Sequence, residues 1–152
     1  MANAVFGNWN LGGLLYLRSG FAMTVRANDQ SGTNSRGARA NRINAGTDRP
    51  KQVGPGGKWF DTSAYVVPAR GTIGSAGNGT FAGPGLYNMD LSIQKLFPIK
   101  EQMNLEFRAE MFNSTNTPAF QGVNANASSV TFGEVTGAQD GRRIQFALKF
   151  MF

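Results

Sequence analysis

The chain has 152 residues, one domain's worth, of which 41% are hydrophobic and 20 are glycine, about twice the usual glycine share, so a large two-faced core is not expected. It contains neither cysteine nor histidine, which excludes a disulfide framework, a zinc-thiolate centre, thiol catalysis and the commonest general base. The net charge is +6, and most of the excess lies between residues 26 and 58, where Arg26, Arg36, Arg39, Arg42, Arg49, Lys51 and Lys58 are opposed only by Asp29 and Asp48.

The N-terminal MANAVFGNWNLGG lacks a basic stretch followed by an apolar one and does not read as a secretory signal. No run approaches the roughly 18 apolar residues of a membrane helix. On these features alone the chain is either cytoplasmic or a piece of a longer exported protein.

The first alternating segment is FGNWNLGGLLYL, residues 6–17. Trp9, Leu11, Gly13, Leu15 and Leu17 share one side; Asn10, Gly12, Tyr16 and then Arg18 share the other. Residues 18–87 follow as a long connection rich in Gly, Asn, Ser and Thr, in which SGFAMTV (19–25) and SAYVV (63–67) are short extended candidates. GPG at 83–85 reads as a turn into the next strand. The second segment, 88–97, sets Met89, Leu91, Ile93 and Phe97 against Asn88, Asp90, Ser92 and Gln94. PIKEQ, 98–102, is a short turn. The third segment, 103–112, sets Met103, Leu105, Phe107, Ala109 and Met111 against Asn104, Glu106, Arg108, Glu110 and Phe112. After a second long connection, 113–141, the last segment, 142–152, sets Ile144, Phe146, Leu148, Phe150 and Phe152 against Arg143, Gln145, Ala147 and Lys149.

Period-two alternation over ten residues predicts strands with one apolar and one polar face. Strands of about 9–11 residues are the length a tilted strand needs to cross a bilayer. The charged side chains Glu106, Arg108, Glu110, Arg143 and Lys149 all fall on polar faces, where cross-strand ion pairs inside a lumen are expected. Lys95 is the exception, on an apolar face near a strand end, where its stem is expected to snorkel to the headgroups. Trp9, Phe97, Phe150 and Phe152 sit near strand ends, as aromatic girdles do. If the C-terminus is periplasmic, the short turn is periplasmic and both long connections are outside. Four strands cannot close, and unpaired edges in hydrocarbon cost several kcal/mol per group. The expected fold is therefore all-β: an open antiparallel meander of four long strands, with the loops splayed to one end, forming part of a transmembrane β-barrel. Residues 1–152 then form a C-terminal fragment of that barrel. Expressed alone, such a chain is expected to aggregate through its open edges.

The ordered set GNWNLGGLLYLRSGFAMTV (7–25), WFDTSAYVVP (59–68), GTIGSAGNGTFAGPGLYNMDLSIQKLFPI (71–99), MNLEFRAEMFNSTNTPAF (103–120) and TFGEVTGAQDGRRIQFALKFMF (131–152) resembles the C-terminal end of TonB-dependent outer-membrane receptors of the Oar-like β-barrel group. NSTNTPAF departs from the family form, which is more apolar or aromatic and contains histidine. The resemblance implies a barrel of about 22 strands in the bacterial outer membrane, with an N-terminal plug and signal peptide that are not seen in this sequence. It implies uptake of an unidentified substrate energised by the TonB complex through the plug. It also implies a terminal strand, Ile144, Phe146, Leu148, Phe150 and Phe152, read by the barrel-assembly machinery. The implied partners are outer-membrane lipid and the rest of the barrel, and not nucleic acid.

No enzymatic constellation is present, and no cofactor is expected. GPGGKW (54–59) fails as a phosphate loop, because Gln52 stands where the first glycine belongs and Trp59 replaces Ser/Thr. Glu106 and Glu110 with Arg108 between them read as a charge ladder rather than a catalytic carboxylate pair. Arg36, Arg39 and Arg42 read either as part of a mobile external loop or as contacts to lipopolysaccharide phosphate. The other functions weighed are a self-contained small barrel with a structural or adhesion role and a soluble β-rich binding module.

Overall fold

The computed structural model describes residues 5–46 and 57–152; Asp48, Arg49 and Lys51 of the basic run, and the first three residues of GPGGKW, lie outside the described residues. The strands in chain order are β1 (Trp9–Arg18), β2 (Ala22–Met23), β3 (Asn41–Arg42), β4 (Tyr65–Val66), β5 (Phe81–Ala82), β6 (Leu86–Lys100), β7 (Met103–Phe112), β8 (Phe120–Val123), β9 (Val135–Ala138) and β10 (Arg143–Met151). The chain divides into two compact units. One comprises the residues up to Arg18 with Tyr87–Pro118 and Asp140–Phe152; the other comprises Ser19–Leu86 and Ala119–Gln139.

The first unit is the expected four-stranded sheet, in the order β1-β6-β7-β10. β7 pairs antiparallel with both β6 and β10. The β1–β6 pairing is antiparallel too: Leu96 N–H donates to Asn8 O, and the Asn10 amide to Gln94 Oε1. The β6–β7 register aligns Leu91, Ile93, Lys95 and Phe97 of β6 with Met111, Ala109, Phe107 and Leu105 of β7. The β7–β10 register aligns the same β7 residues with Ile144, Phe146, Leu148 and Phe150 of β10. Period-two patterning thus becomes one continuous apolar face.

β6 runs further than its alternation suggests, through Pro98 to Lys100, so the hairpin turn shrinks to Glu101–Gln102. A proline normally ends a paired strand because it has no N–H to donate. Here the loss is harmless. Leu96 turns its N–H toward β1, so Pro98, two residues on, turns its nitrogen to the same side, past the point where β1 begins. The irregularity between Pro98 and Lys100 lets the strand enter the turn.

The second unit corrects the expectation of splayed loops: the two long connections fold together. Its short ladders are β2–β5, β3–β4 and β8–β9, and two of these include the short extended candidates at 19–25 and 63–67. Its core holds Val25, Ala27, Ala40, Phe60, Ala64, Tyr65, Ala76, Phe81 and Val123. Phe60 stacks on Phe81 with ring centres 4.1 Å apart and meets Tyr65 and Phe132 edge-on. The physical reason is close approach of backbone over small residues. A Cβ on Gly74 would lie 1.8 Å from Arg39 O, and one on Gly20 would lie 1.7 Å from Gly83 O. At these two positions glycine serves packing, not looseness.

Candidate functional site

Three features of the two units bear on function: the apolar face of the sheet, its polar face, and the arginine-bearing surface of the second unit.

On the apolar face the outer strand β10 is exposed along almost its whole length. Phe146 and Leu148 are 70% and 68% exposed, and Phe152 just beyond the strand is 90% exposed. β1 behaves alike, with Leu11 and Leu17 outward. Phe107 and Phe146 stack across β7 and β10 with ring centres 6.1 Å apart, and Phe150 lies against Phe152 at 5.9 Å. Among the described residues β1 and β10 are the edges of this sheet, each paired on one side only.

Lys95 does not snorkel. It is 2% exposed, and its ammonium donates to the carbonyls of Val5, at 3.2 Å, and Gly7. The rings of Trp9 and Phe97 flank it at 4.9 and 5.4 Å. Asn8 makes this possible by taking a left-handed turn, with φ of 58°, that folds residues 5–7 back over the strand. Trp9 closes the arrangement by donating its indole N–H to Val5 O at 2.9 Å. The ammonium is thus held by carbonyl dipoles and ring faces where the strand pattern offers no acid.

The polar face carries the expected ladder, wired differently from expectation. Arg108 pairs with Glu106 at 2.8 Å and Glu110 at 3.8 Å, both on its own strand. The link across strands is Gln145 Nε2 donating to Glu110 Oε2. Lys149 stands opposite Glu106 in register, and Arg143 opposite Phe112. Arg108 sits between two acids two residues away on either side, so its fork reaches them before a neighbouring strand does. Near the same end of the sheet, Asp90 Oδ1 accepts from the amide of Asn88 and the N–H of Asn113, and Ser114 donates N–H and hydroxyl to Met89 O. This tie of the segment after β7 onto β6 carries no sequence periodicity; the run FNSTN, rich in turn-forming side chains, is its signal.

In the second unit the three singled-out arginines have three different surroundings. Arg42 donates to the carbonyls of Asn44, at 3.0 Å, and Ala45, and lies over the Tyr65 ring at 5.9 Å. Arg39 lines a cavity of about 210 Å³ with Asp29, Ser31, Thr33 and Thr72. Arg36 lines a neighbouring groove of about 580 Å³, where it is joined by Arg26, the first arginine of the basic run. Asp29 organises the loop between. Its Oδ1 accepts the N–H and hydroxyl of Ser31 at 2.9 and 2.6 Å, and its Oδ2 accepts Ser35 N–H at 3.0 Å. The Ser31 hydroxyl first, and then these backbone donors, hold its carboxyl below the ordinary value of 3.8. Lys58 and Glu134 form an ion pair at 3.0 Å on the same unit.

The family model described as an outer membrane beta barrel domain matches residues 1–145. No curated protein and no solved structure matches the chain.

Proposed function

The chain belongs to the outer membrane beta barrel domain family and is located in the bacterial outer membrane, and from that premise we propose that it forms part of the wall of a TonB-dependent receptor of the Oar-like group, taking up a substrate across that membrane. The observation that carries this reading is the sheet with two unpaired edges. Its outward side chains on one face are Leu11, Leu17, Phe146 and Leu148. Such edges in hydrocarbon leave N–H and C=O groups without partners, and only further strands satisfy them. The ordered resemblance of residues 7–152 to the C-terminal end of those receptors supports the finer assignment.

In this reading the apolar face meets lipid, and the ladder of Glu106, Arg108, Glu110, Arg143 and Lys149 faces the lumen. β10 with Phe152 serves as the signal read by the barrel-assembly machinery. The Glu101–Gln102 turn is periplasmic and the second unit is outside. The protein is a transporter wall, not an enzyme, and energy enters from the TonB complex through a plug.

The test is cross-linking in intact cells. TonB is expected to be recovered covalently attached to the protein from outer-membrane fractions. Absence of that adduct, with the purified 152-residue chain refolding in detergent as a heat-modifiable monomer, overturns the proposal in favour of a small self-contained barrel. Orientation is read separately. These 152 residues contain no cysteine; in a parent protein freed of any other, Ser31→Cys should react with an impermeant maleimide on whole cells and Gln102→Cys should not.

A further inference from the structure

We propose that the groove of the second unit containing Arg26 and Arg36 is a binding site for a phosphate-bearing saccharide. The proposal deepens the reading above and rests on its placement of this unit outside the cell.

The groove is about 580 Å³, within the range of small-molecule sites. Among the described residues neither guanidinium has an ion pair or a hydrogen bond to the protein, unlike Arg42, whose fork is spent on its own loop. The single carboxylate lining the groove, Asp29, turns its oxygens to Ser31 and Ser35 and, among the described residues, makes no ion pair with either arginine. The two cations stand on fixed backbone. Arg26 N–H donates to Ala125 O, and Arg26 O accepts from Ala127 N–H, both at 2.8 Å, and Arg26 also bridges to Arg39. Arg36 follows directly on the Ser35 amide that Asp29 holds. Two planar forks presented from such a frame suit the oxygens of a phosphate.

The remaining lining selects what carries the phosphate. Asn28, Asn34, Asn124 and Asn126 lie along the groove, and none of its lining residues is aromatic. Amides offer donors and acceptors to sugar hydroxyls, whereas an apolar or planar ligand would find no ring to stack on. The sequence expectation placed phosphate contact on Arg36, Arg39 and Arg42. Of these only Arg36 lines this groove, and Arg26 joins it there, brought alongside by the pairing of residue 26 with the second long connection.

The sugar phosphate has two possible sources, the glycolipid of the outer leaflet or a soluble phosphosugar, and the test separates them. Full-length protein in detergent micelles is titrated calorimetrically with lipopolysaccharide, glucose 6-phosphate and glucose. At least one phosphorylated probe is expected to bind while glucose does not. The double variant R26Q/R36Q should weaken that binding about tenfold or more, the scale of losing charge-assisted hydrogen bonds, while R70Q, an exposed arginine off the groove, leaves it unchanged. Binding of lipopolysaccharide alone assigns the glycolipid; binding of both assigns the sugar phosphate itself. Binding of neither, or an equal loss in R70Q, overturns the site. Both variants remove exposed side chains, and unchanged heat-modifiable migration confirms their folding. Micelle binding does not depend on which side of the membrane the unit occupies, so a failure here is distinct from a failure of the maleimide orientation test.

Discussion

A single positive charge moved by one residue along β10 should have opposite consequences. Phe146 lies near the middle of the strand, is 70% exposed on the apolar face, and stacks on Phe107. Arginine there puts a charge toward the hydrocarbon midplane, which costs about 2–4 kcal/mol. It also forfeits the ring pair, worth roughly 0.5–1.5 kcal/mol. Together the F146R loss amounts to a factor on the order of a hundred to several thousand in the folded-to-unfolded ratio. Gln145 faces the other way and already touches Glu110. Arginine at 145 would pair with that carboxylate, so Q145R should be neutral or stabilising by about 0.2–1 kcal/mol. The assay is urea unfolding of the full-length protein in detergent, followed by loss of the heat-modifiable band, together with its level in outer-membrane fractions. Equal losses in the two variants, or a wild-type midpoint for F146R, would show that the face assignment is wrong.

Arg108→Ala leaves Glu106 and Glu110 without their shared cation; because the guanidinium is part-exposed, the expected cost is about 1 kcal/mol or less, read as a small fall in the same urea midpoint. Gly74→Ala drives a Cβ into Arg39 O, so the second unit should lose about 1–3 kcal/mol or more and become cleavable at its arginines by trypsin while the sheet segments stay protected. Lys95, at 2% exposure, should acylate with an amine reagent far more slowly than Lys100 or Lys149 in a timed mass-spectrometric comparison; equal rates would place it at the surface after all. Asp29 has a lowered folded pKa, so its stabilising effect is complete above the unfolded value of 3.8 and is lost as pH falls below that value through the folded one. Amide exchange of Ser31 and Ser35 should therefore be steady at pH 5 and speed up, beyond the intrinsic pH effect, only below about pH 4, and Asp29→Asn should remove that transition.

The four long strands were legible because each has one dry face, which writes period two into ten consecutive residues. Legibility ended where side-chain identity and backbone context diverge. Proline at 98 argued for a strand end, but whether a missing N–H matters depends on where the neighbouring strand starts, and Trp9 lies too far along to need it. Lys95 argued for the membrane surface, yet the turn at Asn8 brings two carbonyls to it. The second unit was least legible. Strands of two residues have no period, its aromatic core is drawn from Phe60, Phe81 and Phe132, and its close contacts are made by alanine and glycine. The spacing of Arg36, Arg39 and Arg42 suggested one patch. The bridge between Arg26 and Arg39 and the turn at Asn44–Ala45 distribute them instead.

The two units obey one rule in opposite senses. On the sheet Leu11, Leu17, Phe146 and Leu148 stand exposed; in the core of the second unit Phe60, Phe81 and Val25 are at most 3% exposed. The hydrophobic effect produces both only if the solvent differs: water around the second unit, hydrocarbon along the apolar face of the sheet. This bears on sidedness without any appeal to the C-terminus. Val25 belongs to the first long connection and Val123 to the second, yet they share a core, and Arg26 N–H bonds Ala125 O. Were the connections on opposite sides of a membrane, those contacts would have to pass through it. Both therefore lie on one side, and the chain between them must cross an even number of times, as β6 and β7 do.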